Sequence, residues 1–107
     1  MKVVKIFDSK QKADECLFPN KPFVISLNGL KICIIKNSSG LFAFKSQCPH
    51  SGADLADGFI NLNNEIVCPL HGYRFGLIDG REKSGKECEL HMYGIELRED
   101  GLFLHIR

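Results

Sequence analysis

The chain has 107 residues, 44% of them hydrophobic, and its 14 Lys and Arg against 13 Asp and Glu leave a net charge of +1. That length has room for one domain, residues 1–107, with one modest core. Near-neutral charge supplies no basic field, so no nucleic-acid partner is expected, nor a disordered acidic or basic tail. Taken in chain order, Val3–Phe7 is the first expected strand, and Ser9–Leu17 suits one or two helical turns, with Asp8 and Gln11 spaced as a capping box. Phe23–Leu27 and Lys31–Lys36 flank Asn28-Gly29, a strong hairpin signal. The nearly continuous apolar run Ile32–Ile35 reads as a strand buried on both faces. After the turn at Asn37-Ser38-Ser39-Gly40, Leu41–Phe44 completes a meander. Short strands at Glu65–Cys68 and Tyr73–Leu77 bracket Pro69-Leu70-His71-Gly72, and a turn follows at Ile78-Asp79-Gly80-Arg81. Tyr93–Arg98 and Leu102–Ile106 form a closing hairpin, with Ile95 and Leu97 alternating against Glu96 and Arg98 to bury one face. The fold class is all-β, a small antiparallel sandwich or barrel.

No stretch approaches the ~20 apolar residues that cross a bilayer. The run Val3–Phe7, broken by Lys5, falls short of a signal-peptide core. A soluble, cytoplasmic chain with no membrane partner is expected, and nothing in the sequence sets an oligomeric state. Five cysteines is an odd count, and without an export signal a disulfide framework is not expected. Ligation of a metal or cluster is the better reading for some of them. Cys33 reads as a small buried hydrophobe, Cys16 as similar, and Cys88 as a bystander. His91 and His105 lack a matching Cys and read as ordinary strand or loop residues.

Two motifs carry the chemistry. Cys48-Pro49-His50 is followed, after seventeen intervening residues, by Cys68-Pro69-Leu70-His71-Gly72. Each half offers one thiolate and one imidazole from a tight loop. Two Cys and two His could hold one Zn²⁺, but zinc fingers usually place both Cys in one half and both His in the other. The mixed halves suit a two-iron cluster, with the Cys pair closing on one iron and the His pair on the other.

The segments Cys48–Leu55 and Cys68–Phe75 resemble the ligand boxes of Rieske-type [2Fe–2S] proteins, in particular the small soluble ferredoxins that serve ring-hydroxylating dioxygenases. The resemblance implies that Cys48 and Cys68 hold a buried iron and His50 and His71 an outer one. It implies a cluster-binding subdomain at about Lys45 to Asp79, inserted into a β base built from about 1–44 and 80–107. The implied function is one-electron transfer from a flavin or NAD(P)H reductase to an oxygenase or other redox enzyme, so the chain is not itself an enzyme. The alternatives are a small subunit of a larger oxidoreductase such as nitrite reductase, and a zinc-stabilised interaction module.

The chain also departs from the respiratory Rieske proteins. Their two loops carry an extra Cys pair joined as a disulfide, where this chain has Gly52 or Ala53 and Leu70. Tyr73 and Phe75 stand where those proteins place hydroxyls; Phe75 cannot donate, and both residues read as packing around the cluster. No proline follows Pro69, so the third loop, Lys83–Glu89, is not built on prolines. Two thiolates and two neutral imidazoles leave an oxidised cluster uncharged, which eases electron uptake relative to four thiolates. The range for such clusters is roughly −150 to +300 mV, and the lower part is expected here.

Overall fold

The computed structural model describes residues 2–85 and 87–106. Strand β1 (Lys2–Phe7) leads into helix α1 (Lys10–Cys16). The helix is capped by Ser9, whose extended backbone lets its hydroxyl accept from the Lys12 N–H at 3.1 Å. The expected box of Asp8 with Gln11 does not form; Gln11 turns along the helix to Glu15, 3.2 Å away. Strands β2 (Phe23–Leu27), β3 (Leu30–Asn37) and β4 (Gly40–Lys45) follow as an antiparallel meander. The β2–β3 turn has positive φ at both Asn28 (+50°) and Gly29 (+82°), the twist a two-residue hairpin requires. Next come β5 (Phe59–Ile60), β6 (Glu65–Val67) and β7 (Arg74–Gly76), then β8 (Met92–Arg98) and β9 (Gly101–Ile106).

The larger sheet runs β1-β9-β8-β4-β3-β2, and the smaller runs β5-β6-β7; every paired neighbour is antiparallel. The Phe7 and Phe23 rings meet at 5.3 Å, bringing the end of β1 to the start of β2. The sheet therefore curls into a barrel-like base, and the all-β expectation holds. Two-residue β5 is an element that sequence patterning did not anticipate.

Strand β3 explains where the core sits. Ile32, Cys33, Ile34 and Ile35 are all fully buried, as its unbroken apolar run implies. Successive side chains point to opposite faces. Ile32 and Ile34 pack with Ala43, Tyr93, Leu102 and Leu104, with Ala13 of the helix and with Leu17, which caps its C-terminus. Cys33 and Ile35 pack with Phe44, Leu55, Ile66, Phe75 and Leu77, and with Cys48 and Cys68. One strand thus walls off two cores, one under the helix and one under the motif loops. Each large aliphatic side chain so buried contributes roughly 1.5–3 kcal/mol.

Candidate metal centre

The two motifs form two loops of one design. The first leaves the end of β4 and the second joins β6 to β7. In the first, the Cys48 N–H donates to the carbonyl of Ala53, five residues on, at 2.8 Å. In the second, the Cys68 N–H donates to the carbonyl of Tyr73, again five residues on, at 2.7 Å. Each loop is pinched at its neck by a backbone bridge, Gln47 with Asp54 and Val67 with Arg74. The reversal in the second loop runs through left-handed backbone at both His71 and Gly72, φ +68° in each. A side chain tolerates that region poorly, so Gly72 suits its place, while His71 holds a strained one.

This closure sorts the ligand candidates by depth. Cys48 and Cys68 are each 1% exposed, whereas His50 and His71 lie at the surface. Ser51 Oγ crosses between the loops to within 3.3 Å of Cys68 Sγ. Burial works to raise the Cys48 thiol. The Ser51 hydroxyl, the Ser51 and His50 backbone N–H groups and the Cys68 thiol outweigh it and hold Cys48 below its ordinary value. The imidazoles instead meet one aromatic ring: Tyr73 lies 4.2 Å from His50 and 6.2 Å from His71, edge-on to both. Among the described residues, no three or more His, Cys, Asp or Glu side chains close on a common metal position.

The remaining sequence candidates fall elsewhere. Cys33 lies in the core below the loops, where burial pushes its thiol up to about 12. Cys16 ends α1, and Cys88 is half-buried against the same core as the loop cysteines. His91 packs on Tyr93 at 4.6 Å, and His105 Nε2 lies 3.6 Å from Glu96.

The third loop is built around an acid that sequence reading did not single out. The Glu82 carboxylate, on a residue 8% exposed, accepts from the Arg74 N–H at 3.1 Å and from the Ser84 N–H at 2.7 Å. The Lys83 N–H donates to the Arg74 carbonyl at 2.8 Å, and the Arg81–Glu89 bridge closes the loop. Lys86, within this loop, lies outside the described residues. A second buried acid, Glu65, is held by Asn61 at 2.8 Å and Arg74 at 3.4 Å, tying β6 to β7 below the second loop. Ser51, Glu65 and Glu82 are the residues that motif spacing alone missed. Only Ser51, directly after the first motif and within the resembling segment Cys48–Leu55, carried a signal that could have found it.

Similarity to known proteins converges on this arrangement. A ferredoxin component of naphthalene 1,2-dioxygenase/salicylate 5-hydroxylase systems from Ralstonia sp. is 33% identical over 57 residues, 53% of this chain and 54% of that protein. The oxygenase subunit of a carnitine monooxygenase from Acinetobacter baumannii is 35% identical over 72% of this chain and 21% of its own length. The chain thus spans about half of the first relative and about a fifth of the second. In fold, it superposes on the ferredoxin of carbazole 1,9a-dioxygenase from Nocardioides aromaticivorans with TM-score 0.82 at 20% identity, covering 100% of both chains. A chain described as an NADH-dependent nitrite reductase small subunit from Mycobacterium tuberculosis gives TM-score 0.78 at 18% identity, over 97% of this chain and 96% of that one. The family model for the Rieske [2Fe-2S] domain matches residues 8–94, a span that takes in α1, strands β2 to β7, both motif loops and the third loop. The paired loops, with sulfur inward and imidazole outward, are therefore those of a chain that belongs to the Rieske [2Fe-2S] domain family.

Proposed function

We propose that Cys48 and Cys68 hold one iron of a [2Fe–2S] cluster and His50 and His71 the other, on a cluster-binding unit from about Lys45 to Asp79. In this reading the whole chain, 1–107, is one domain and acts in the cytoplasm. It carries single electrons from a flavin or NAD(P)H reductase to an oxygenase or another redox enzyme. The observation that carries the reading is the matched pair of loops, closed by the same hydrogen bond, that bury both thiols and expose both imidazoles. The donors fit the group. Two thiols in an apolar shell of Leu55, Ile66 and Phe75, one of them held below its ordinary value by hydrogen bonds, suit a cluster's buried end.

When bound, such a cluster takes up and gives back one electron. The rest of the work falls to the chain. Leu55, Ile66 and Phe75 exclude water from the sulfurs. The Ser51 hydroxyl stands beside Cys68, where it donates once that sulfur is a thiolate. His50 and His71 bring the outer end to the surface, and Leu70, 46% exposed, offers an apolar contact beside His71 for a partner. With all four positions filled by protein, no open position is left for a substrate, so the chain carries electrons and does not catalyse. The Ralstonia relative, named as a ferredoxin component, supports the same role.

Anaerobically purified protein tests this. Two irons and two sulfides per chain are expected, with a rhombic EPR signal after dithionite that is lost in Cys68→Ser and His71→Ala. A colourless protein holding one zinc overturns it. The fold shared with the M. tuberculosis chain supports a second reading, a small subunit of a larger reductase. A stoichiometric large partner retained through purification selects that one.

A further inference from the structure

The two imidazoles come from loops far apart in sequence, yet both lie against one ring. Tyr73 meets His50 at 4.2 Å and 64°, and His71 at 6.2 Å and 69°, both edge-to-face arrangements that aromatic rings favour. The position of Tyr73 is itself fixed from three sides. Its carbonyl closes the second loop on the Cys68 N–H. The left-handed pair His71-Gly72 turns the chain back immediately before it. The Arg74 N–H just after it is tied to the Glu82 carboxylate of the third loop, and the Tyr73 ring packs against the core that holds both loop cysteines.

From this juxtaposition we propose that Tyr73 is a positioning residue: its ring clamps the His50 and His71 imidazoles and sets their orientation relative to each other. This inference rests on the ligand assignment above. Both contacts are between rings, and a phenylalanine at this position keeps the ring that makes them. Losing one edge-to-face contact shifts a ring's orientational equilibrium by roughly 2- to 10-fold. Without Tyr73 the two imidazoles therefore sample several orientations, where the clamp selects one.

Pulsed EPR of the reduced holoprotein reads this directly through the nitrogen couplings of the two imidazoles and the spread of g-values. Tyr73→Phe is expected to reproduce the unaltered protein. Tyr73→Leu is expected to broaden the g-values and to replace each single set of nitrogen couplings by several. A Tyr73→Leu spectrum identical to that of the unaltered protein overturns the clamp, even if its melting temperature falls, because loss of packing alone lowers stability without reorienting ligands. A Tyr73→Phe spectrum altered as much as that of Tyr73→Leu also overturns it, since the hydroxyl would then be responsible. If Tyr73→Leu does not load, a crystal structure of the unaltered holoprotein decides: the Tyr73 ring lies against both imidazoles, or the proposal fails. Absence of any [2Fe–2S] signal in the unaltered protein refutes the ligand assignment, a separate failure.

Discussion

Replacing Glu82 by Ala removes an acceptor that two backbone donors share. The Arg74 N–H at 3.1 Å and the Ser84 N–H at 2.7 Å both point at its carboxylate. On a residue only 8% exposed, water reaches the vacated space poorly. Each donor left unsatisfied costs about 1–3 kcal/mol, and bonds to a charged acceptor lie toward the upper end. The two together weaken the anchoring of the third loop by about 2–6 kcal/mol. Since 1.4 kcal/mol is tenfold in an equilibrium constant, opening of this loop becomes roughly 30- to 20,000-fold more frequent. Hydrogen exchange followed by mass spectrometry reads that ratio. Peptides covering Arg74 to Ser84 are expected to exchange faster by at least the lower figure, while peptides from β2, β3 and β4 stay unchanged. Glu82→Gln keeps one oxygen and is expected to fall between the two. Unchanged exchange over residues 74–84 in Glu82→Ala would refute the claim that this buried acid holds the loop.

Three further outcomes follow from the geometry. On the proposed assignment Cys68 holds the cluster and accepts from Ser51, and because hydrogen bonds to cluster sulfurs stabilise the reduced state, Ser51→Ala is expected to lower the potential by roughly 20–60 mV in film voltammetry; a rise would contradict this. With burial holding the Cys33 thiol near 12, only about one molecule in ten thousand carries its thiolate at pH 8. Iodoacetamide should therefore leave Cys33 unmodified in native protein while labelling half-buried Cys16, as peptide mapping would show. Lys31, bonded to the Asp54 carboxylate, holds it below the ordinary carboxylate value, with the Ala56 N–H assisting against burial. A depressed native value means that the ionised group stabilises the fold above its unfolded value near pH 4. That contribution is lost as pH drops through the lower, folded value. In Lys31→Met an NMR titration of Asp54 should move up toward the ordinary range; an unmoved midpoint would show that Lys31 is not the cause.

Local rules reached far into this molecule. The apolar run at Ile32–Ile35, the Asn28-Gly29 turn and the Cys-Pro loops each announce themselves within a few residues, and the structure places a two-faced buried strand, a positive-φ turn and two matched loops there. What stayed hidden depends on partners distant in sequence. Phe59–Ile60 is too short for any period to register and becomes a strand only because β6 lies beside it. Glu82 and Glu65 look like ordinary surface acids until the fold surrounds them with donors. Ser9 and Asp8 both suit a cap, and the backbone at Ser9 decides between them. The position of Tyr73 against imidazoles from both loops likewise exists only once the loops face each other.

The strand that separates the two cores also constrains how descendants of this chain can vary in length. A one-residue insertion inside Ile32–Ile35 would put the two sides of the strand out of phase, turning every side chain beyond it to the opposite face, between the helix and the motif loops. Both halves of the protein would be mispacked by one genetic event. Insertions and deletions should therefore accumulate at the hairpin tips, around Asn28-Gly29 and Ser38-Ser39, and spare the wall between them.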